Sequence, residues 1–182
     1  MEADWEVEVG GDAPVIDAHS AGFVDLRSEP ELAWGLAEAG MLPGLAEALI
    51  RLNGEVSPVW TAKCDVWTVE DFESFDLDEL DALAESGAYG VACYIDLLPR
   101  DGERWGDAAA AVRDCKEICA RLRGGSLRGC RVDLVVRETL AGSELGITAY
   151  LTACGGTEEE AKRVLGAAVG EFAGAVGDST LE

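Results

Sequence analysis

Apolar and polar residues alternate along four stretches of the chain and recur three or four apart along several others; this switch of period predicts the elements. Between Val59 and Val69, Trp60, Ala62, Cys64 and Val66 fall on one side of an extended chain and Thr61, Lys63, Asp65 and Trp67 on the other. From Tyr89 to Leu98, Val91, Cys93, Ile95 and Leu97 oppose Ala92, Tyr94 and Asp96. Cys130, Val132, Leu134 and Val136 oppose Arg131, Asp133, Val135 and Arg137, and Ile147, Ala149, Leu151 and Ala153 oppose Thr148, Tyr150, Thr152 and Cys154. Each stretch reads as a strand with one face toward the core, and the last two, separated by Ala141-Gly142-Ser143, as a hairpin. Trp5, Val7 and Val9 against Glu6 and Glu8 give a candidate edge strand.

Helical spacing takes over elsewhere. From Trp105 to Arg123, Ala108, Val112, Cys115, Ile118, Cys119 and Leu122 trace one face, and Gly124-Gly125 stops it. Thr157-x-x-Glu160 is a capping box opening a second long helix whose apolar positions are Ala161, Val164, Leu165, Ala168, Phe172 and Val176. Ser28 and Glu31 around Pro30 predict a helix over 29–39, and Pro43 to Asn53-Gly54 a second, so 28–56 reads as a helical hairpin. A further box, Asp76-Leu77-Asp78-Glu79, with Leu77, Leu80 and Leu83 at helical spacing, predicts a short helix ending at Gly87, with a strand as the alternative.

These elements make a single α+β domain over 1–182, with an N-terminal extension (1–27), the helical hairpin (28–56), an α+β core (57–176) and a loose tail (177–182). The core is expected to hold a mostly antiparallel sheet of four to five strands with two long helices on one face. Two topologies give that order. One is a permuted ferredoxin-like domain, its last strand moved to the front; the other is a tandem ββα unit, in which Tyr94 and Tyr150 occupy matching places.

Composition narrows the functions. The 182 residues carry a formal net charge of −22, which repels nucleic acid and anionic membrane, so neither is expected as a partner. Only Lys63, Lys116 and Lys162 are lysines, and high salt in the host would by itself account for the acidity. The charge is uneven: residues 1–90 hold 21 acids against three bases, whereas 100–137 hold nine bases against six acids, so the two parts attract each other or the basic part faces an acidic partner. The start, Met1-Glu2-Ala3-Asp4, is acidic where a secretory signal would be basic, and no apolar run reaches membrane length; a cytoplasmic location is expected. In that setting the six cysteines are expected as free thiols, and a single histidine excludes histidine-rich zinc sites.

No reactive motif stands out. The glycine pairs lack the lysine of a phosphate loop, there is no Gly-x-Ser-x-Gly elbow, and Asp17-Ala18-His19-Ser20 is too local for a working triad, so no catalytic residue, metal or cofactor is assigned. Candidate binding residues come from parity instead. If the helices cover the Cys64, Val91, Val132 and Ile147 side, the opposite face gathers Lys63, Asp65, Trp67, Tyr94, Asp96, Arg131, Asp133, Arg137 and Tyr150, with Thr148 and Thr152. A solvated surface would look alike; Trp67, Tyr94 and Tyr150 favour an interface, because large amphipathic rings gain from desolvation.

The acidity and the helix-sheet-helix order are similar, over roughly residues 30–176, to the small acidic secretion chaperones of type III systems, although this chain is longer. The resemblance implies a non-enzymatic, chaperone-like interaction protein, homodimeric or bound to another protein. The alternative is a small-ligand or metal-binding enzyme in which Asp65, Asp96 and Asp133 converge on a hard cation or share a proton. A third is nucleic-acid mimicry by the acidic run Glu70–Glu85.

Overall fold

The computed structural model describes residues 1–18, 22–69, 77, 80, 82, 89–140 and 144–177. In chain order these form β1 (Glu2–Glu8), a 3-10 turn (Pro30–Gly35), α1 (Ala37–Met41), α2 (Leu45–Asn53), β2 (Val59–Val69), β3 (Tyr89–Pro99), α3 (Ala108–Arg123), β4 (Cys130–Glu138), β5 (Leu145–Gly155) and α4 (Glu158–Gly177). One sheet runs β1-β4-β5-β3-β2. The class is α+β, as the periodicity predicts, and the sheet is mixed: β1 lies parallel to β4, and the other neighbours are antiparallel. Among the described residues no helix is long and apolar enough to cross a membrane.

The core lies between one sheet face and the helices. Val91, Cys93, Ile95 and Leu97 of β3, the alternate residues of β4 from Cys130 to Val136, and Ile147 to Ala153 of β5 are buried against Ile118, Leu122, Leu165, Val169 and Phe172 of α3 and α4. Each such aliphatic or aromatic side chain contributes roughly 1.5–3 kcal/mol by leaving water. The helix ends follow from their sequences. Asp107 accepts from the Ala110 N–H at 2.8 Å to cap α3, while Arg121 and Arg123 oppose the negative end of its dipole. At α4 the Glu160 N–H donates to Thr157 Oγ1 at 3.1 Å and the Glu160 carboxylate accepts from the Gly156 N–H at 3.0 Å.

Two expectations need correction. The helical hairpin over 28–56 is absent: Ser28 and Glu31 form no capping box, no side chain caps the turn at Pro30, and Leu36 is extended at φ −73° and ψ 140°. The first arm is therefore a 3-10 turn followed by the five residues of α1. Only α2 is a packed helix, burying Leu45, Ala46, Ala48, Leu49 and Leu52.

The second correction concerns β2. Pairing steps from Thr61–Leu97 to Cys64–Ile95, so Ala62 and Lys63 together oppose Asp96 in a bulge. Parity inverts there: Trp60 and Ala62 share the outer face with Asp65 and Trp67, whereas Thr61 turns to the helices with Cys64 and Val66. Asn53 at the end of α2 holds Thr61 in this facing. Its side chain donates to Thr61 Oγ1 at 2.7 Å and to the Leu49 carbonyl at 2.8 Å, and accepts from the Thr61 N–H at 3.0 Å. The short helix expected between Asp76 and Gly87 lies outside the described residues, apart from Leu77, Leu80 and Ala82.

Candidate functional site

Strand register arranges the sheet face away from α3 and α4 in rows that cross the strands. One row is Asp4, Asp133, Tyr150, Tyr94 and Asp65, read from β1 to β2. On one side of it lies Glu2, Arg131, Thr152, Ala92 and Trp67. On the other lies Glu6, Val135, Thr148 and Asp96, with Lys63 and Ala62 in the bulge. Arg137 comes one row further on, paired with Glu8 and Gly146. Register thus brings Asp65, Trp67, Tyr94, Asp96, Arg131, Asp133, Arg137 and Tyr150 to one surface, with Lys63 at its margin.

Both ends of that surface are covered. Beyond Arg137, Ile16 packs on Ala62, Leu98 and Trp60, and Trp60 in turn carries the Phe23 ring at 6.3 Å and the Arg27 guanidinium at 4.3 Å. Gly146 is required there, because a Cβ on it would come within 2.6 Å of Ile16 Cδ1. At the opposite end, Leu80 packs with Cys154 and Val69. Between the covers the surface is a trough whose long axis runs across the strands.

Its floor is aromatic in the middle and acidic at both ends. Tyr94 stands 6.1 Å from Tyr150 and 6.3 Å from Trp67, the latter 39% exposed. A cavity of about 300 Å³ at the β1 end is lined by Asp4, Glu6, Arg131, Asp133, Thr152 and Leu80. Another of about 280 Å³ wraps the β2 edge at the bulge, lined by Asp65, Lys63 and Tyr94 from the outer face, by Thr61, Cys64 and Leu49 from the helical side, and by Glu38 and Phe23.

Charge on this face is partly settled internally. Arg131 holds Asp133 through Nε and Nη2 at 2.8 Å, and Arg137 holds Glu8 at 2.7 Å. Arg123 reaches Asp4 at 3.7 Å from α3. Glu8–Arg137 and Asp4–Arg123 are the attraction between acidic and basic sections read from the sequence, realised within one molecule. Among the described residues Glu6 and Asp65 are in no ion pair.

A polar network sits beside the tyrosines. Asp96 is 7% exposed and accepts from Thr148 Oγ1 at 2.6 Å; Arg137 Nη1 donates to the Tyr150 hydroxyl at 2.9 Å. Burial pushes the Asp96 carboxyl above its ordinary range, against the smaller opposing pull of Thr148, Arg137 and Lys63. Burial likewise raises Tyr94, helped by Asp96 and Asp65, so its ring stays neutral. These groups, with Asp17 and Ile16, line a cavity of about 230 Å³.

Some candidates do not assemble. Asp65 and Asp133 lie three strands apart in one row with Asp96 in the next, and among the described residues no three histidine, cysteine or carboxylate side chains are gathered to hold a metal ion. The six cysteines are free thiols. Burial holds Cys64 protonated, pushed up to about 12 with help from Glu38, Asp65 and Asp96, so it is no nucleophile at neutral pH. His19 lies outside the described residues, as does most of the acidic run from Glu70. Sequence reasoning missed the contribution of β1: Glu2, Asp4, Glu6 and Glu8 share the face with the arginines of β4, and the only local signal was their alternation with Ala3, Trp5 and Val7. Comparison with family models, with curated proteins and with solved structures gives no match for this chain.

Proposed function

We propose that this is an acidic, non-enzymatic interaction protein of chaperone-like character that receives part of another polypeptide in the trough on its open sheet face. The observation that carries the reading is the cross-strand row, with its tyrosine pair bounded at each end by aspartate and adjoined by the exposed Trp67. Aromatic rings in a partly desolvated setting are the usual anchors of protein interfaces, and a polar rim around them supplies orientation. A homodimer through the same face is the self-associating form of this reading. Strands β2 to β5 with α3 and α4 fit the permuted ferredoxin-like alternative, and the direct pairing of Tyr94 with Tyr150 fits two ββα units joined edge to edge in one sheet.

The test places a photo-crosslinking amino acid at Trp67 and, as a control on the helical side, at Glu117. Adducts to one polypeptide, or to a second copy, should form from Trp67 and not from Glu117. The purified partner should then bind Trp67→Ala about tenfold more weakly than the parent protein. Equal adduct yields from the two positions would defeat the reading.

A second reading has one observation behind it. The buried Asp96, raised by desolvation and lining a cavity beside Lys63 and Tyr150, has the makings of an acid-base group in a small-ligand site. Loss of small-molecule binding in Asp96→Asn with unchanged crosslinking from Trp67 would favour it.

A further inference from the structure

The trough does more than offer an apolar surface, because its charge and spacing define what fits. Its axis crosses the strands along the row from Asp133 to Asp65, three strand spacings apart, or roughly 14 Å. Four residues of an extended chain span about the same length, at ~3.4 Å per residue. Alternate side chains of such a chain point the same way, so residues i, i+2 and i+4 would face the floor together.

The two end cavities are both acidic in balance. At the β1 end the single guanidinium of Arg131 is already held by Asp133, and Glu6, one strand further out on β1, is in no ion pair among the described residues. At the β2 end Asp65 and Glu38 face Lys63, with Asp65 in no ion pair among the described residues. Between them lies the Tyr94–Tyr150 pair. The same molecule shows how such rings take cations: Arg137 stands 5.5 Å from the Tyr150 ring centre and Arg27 4.3 Å from that of Trp60.

The geometry points to an extended, basic segment of a partner protein as the occupant, lying across the strands with lysine or arginine at i and i+4 in the two cavities and an apolar or aromatic residue at i+2 over the tyrosine pair. This rests on the trough being an interaction surface and names the chemistry of what it binds. A neutral or acidic segment would leave Glu6 and Asp65 to be desolvated without compensation.

Two end-blocked, fluorescently labelled peptides of one composition test it: Lys-Thr-Tyr-Thr-Lys and its isomer Thr-Lys-Tyr-Lys-Thr. Anisotropy titration at low salt should show the first binding several-fold tighter, since only it places both charges and the ring on one side. Asp65→Asn should weaken it about threefold, as expected for one exposed charge contact, whereas Glu117→Gln on α3 should leave it unchanged. Raising sodium chloride from about 50 to about 300 mM should weaken it further. Equal affinity for the two isomers, equal losses in Asp65→Asn and Glu117→Gln, or no binding at all would overturn the proposal. If Trp67 meanwhile crosslinks to a partner without such spaced basic residues, only the chemistry assigned here fails. If Trp67 crosslinks to nothing, the interaction reading fails with it.

Discussion

At the scale of single residues, Asp96 shows how position on a sheet sets chemistry. Its place on the outer face followed from strict alternation in β3, but its burial did not, because that depends on Thr148 across the strand and on Ile16 arriving from a distant segment. The consequence is a pH signature. The folded protein disfavours the ionised carboxyl, so the folded value lies above the unfolded one. The protonated form therefore stabilises the fold most below about pH 4, and this contribution is lost as pH rises through the folded value. Asparagine keeps an acceptor for Thr148 and has nothing to ionise. In urea titrations the stability of Asp96→Asn relative to the parent protein should rise from about pH 4 toward neutrality. A difference that stays flat across that range would mean that Asp96 ionises as readily folded as unfolded.

At the scale of elements, legibility tracks how local the cause is. β3, β4, β5, α3 and α4 were readable because alternation or helical spacing runs unbroken through them and their caps lie within a few residues. β2 was readable as a strand and in the facing of Asp65 and Trp67, but not in that of Trp60, Thr61 and Ala62, since the bulge at Ala62 and Lys63 that inverts them is held by Asn53 from another element. In the sequence Asn53-Gly54 looks like a helix terminus and nothing more. The parallel partner of β1 was equally hidden, because pairing across more than a hundred residues leaves no local trace. The 3-10 turn at Pro30 was missed because its capping residues have the right identities but make no capping hydrogen bond, the Glu31 carboxylate accepting from the Trp34 indole N–H at 3.2 Å instead. The rows of the candidate site were thus half visible: parity gave the β3, β4 and β5 members with Asp65 and Trp67 of β2, while the bulge and the carboxylates of β1 depend on contacts with distant segments. Asn53→Ala tests the staple directly. It strands the buried Thr61 N–H and hydroxyl, at a cost of about 1–3 kcal/mol for the unmet hydrogen bonds. Because the bulge rests on that contact, amide exchange along β2 should quicken before exchange along β4 does. A loss confined to global stability, with uniform exchange, would show that the bulge is set within the strand pair itself.

At the scale of the whole molecule, charge outweighs any one contact. The chain carries 36 acids and 14 bases, and β1 alone places Glu2, Asp4, Glu6 and Glu8 on one face. Successive members of that row are roughly 7 Å apart, inside the screening length of about 10 Å at 0.1 M salt, so their repulsion is felt in dilute buffer. The opposing ion pairs are short: Glu8–Arg137 at 2.7 Å and Arg104–Asp114 at 2.8 Å, the latter buried with the Trp105 indole N–H on the same carboxylate oxygen. Salt screens separated surface charges more effectively than buried or contacting ones, so repulsion weakens faster than attraction as ionic strength rises. Sodium chloride from about 0.05 to about 0.5 M should therefore raise Tm. Arg104–Asp114 should change little over that range. The comparison of Asp114→Ala with the parent protein at both ionic strengths separates the two contributions, because removing Asp114 breaks a buried ion pair and takes away the acceptor of the Trp105 indole N–H, at a cost of about 3–5 kcal/mol at either. A Tm that falls with sodium chloride would mean that exposed attractive pairs, rather than the acidic rows, set the balance of charge in the fold.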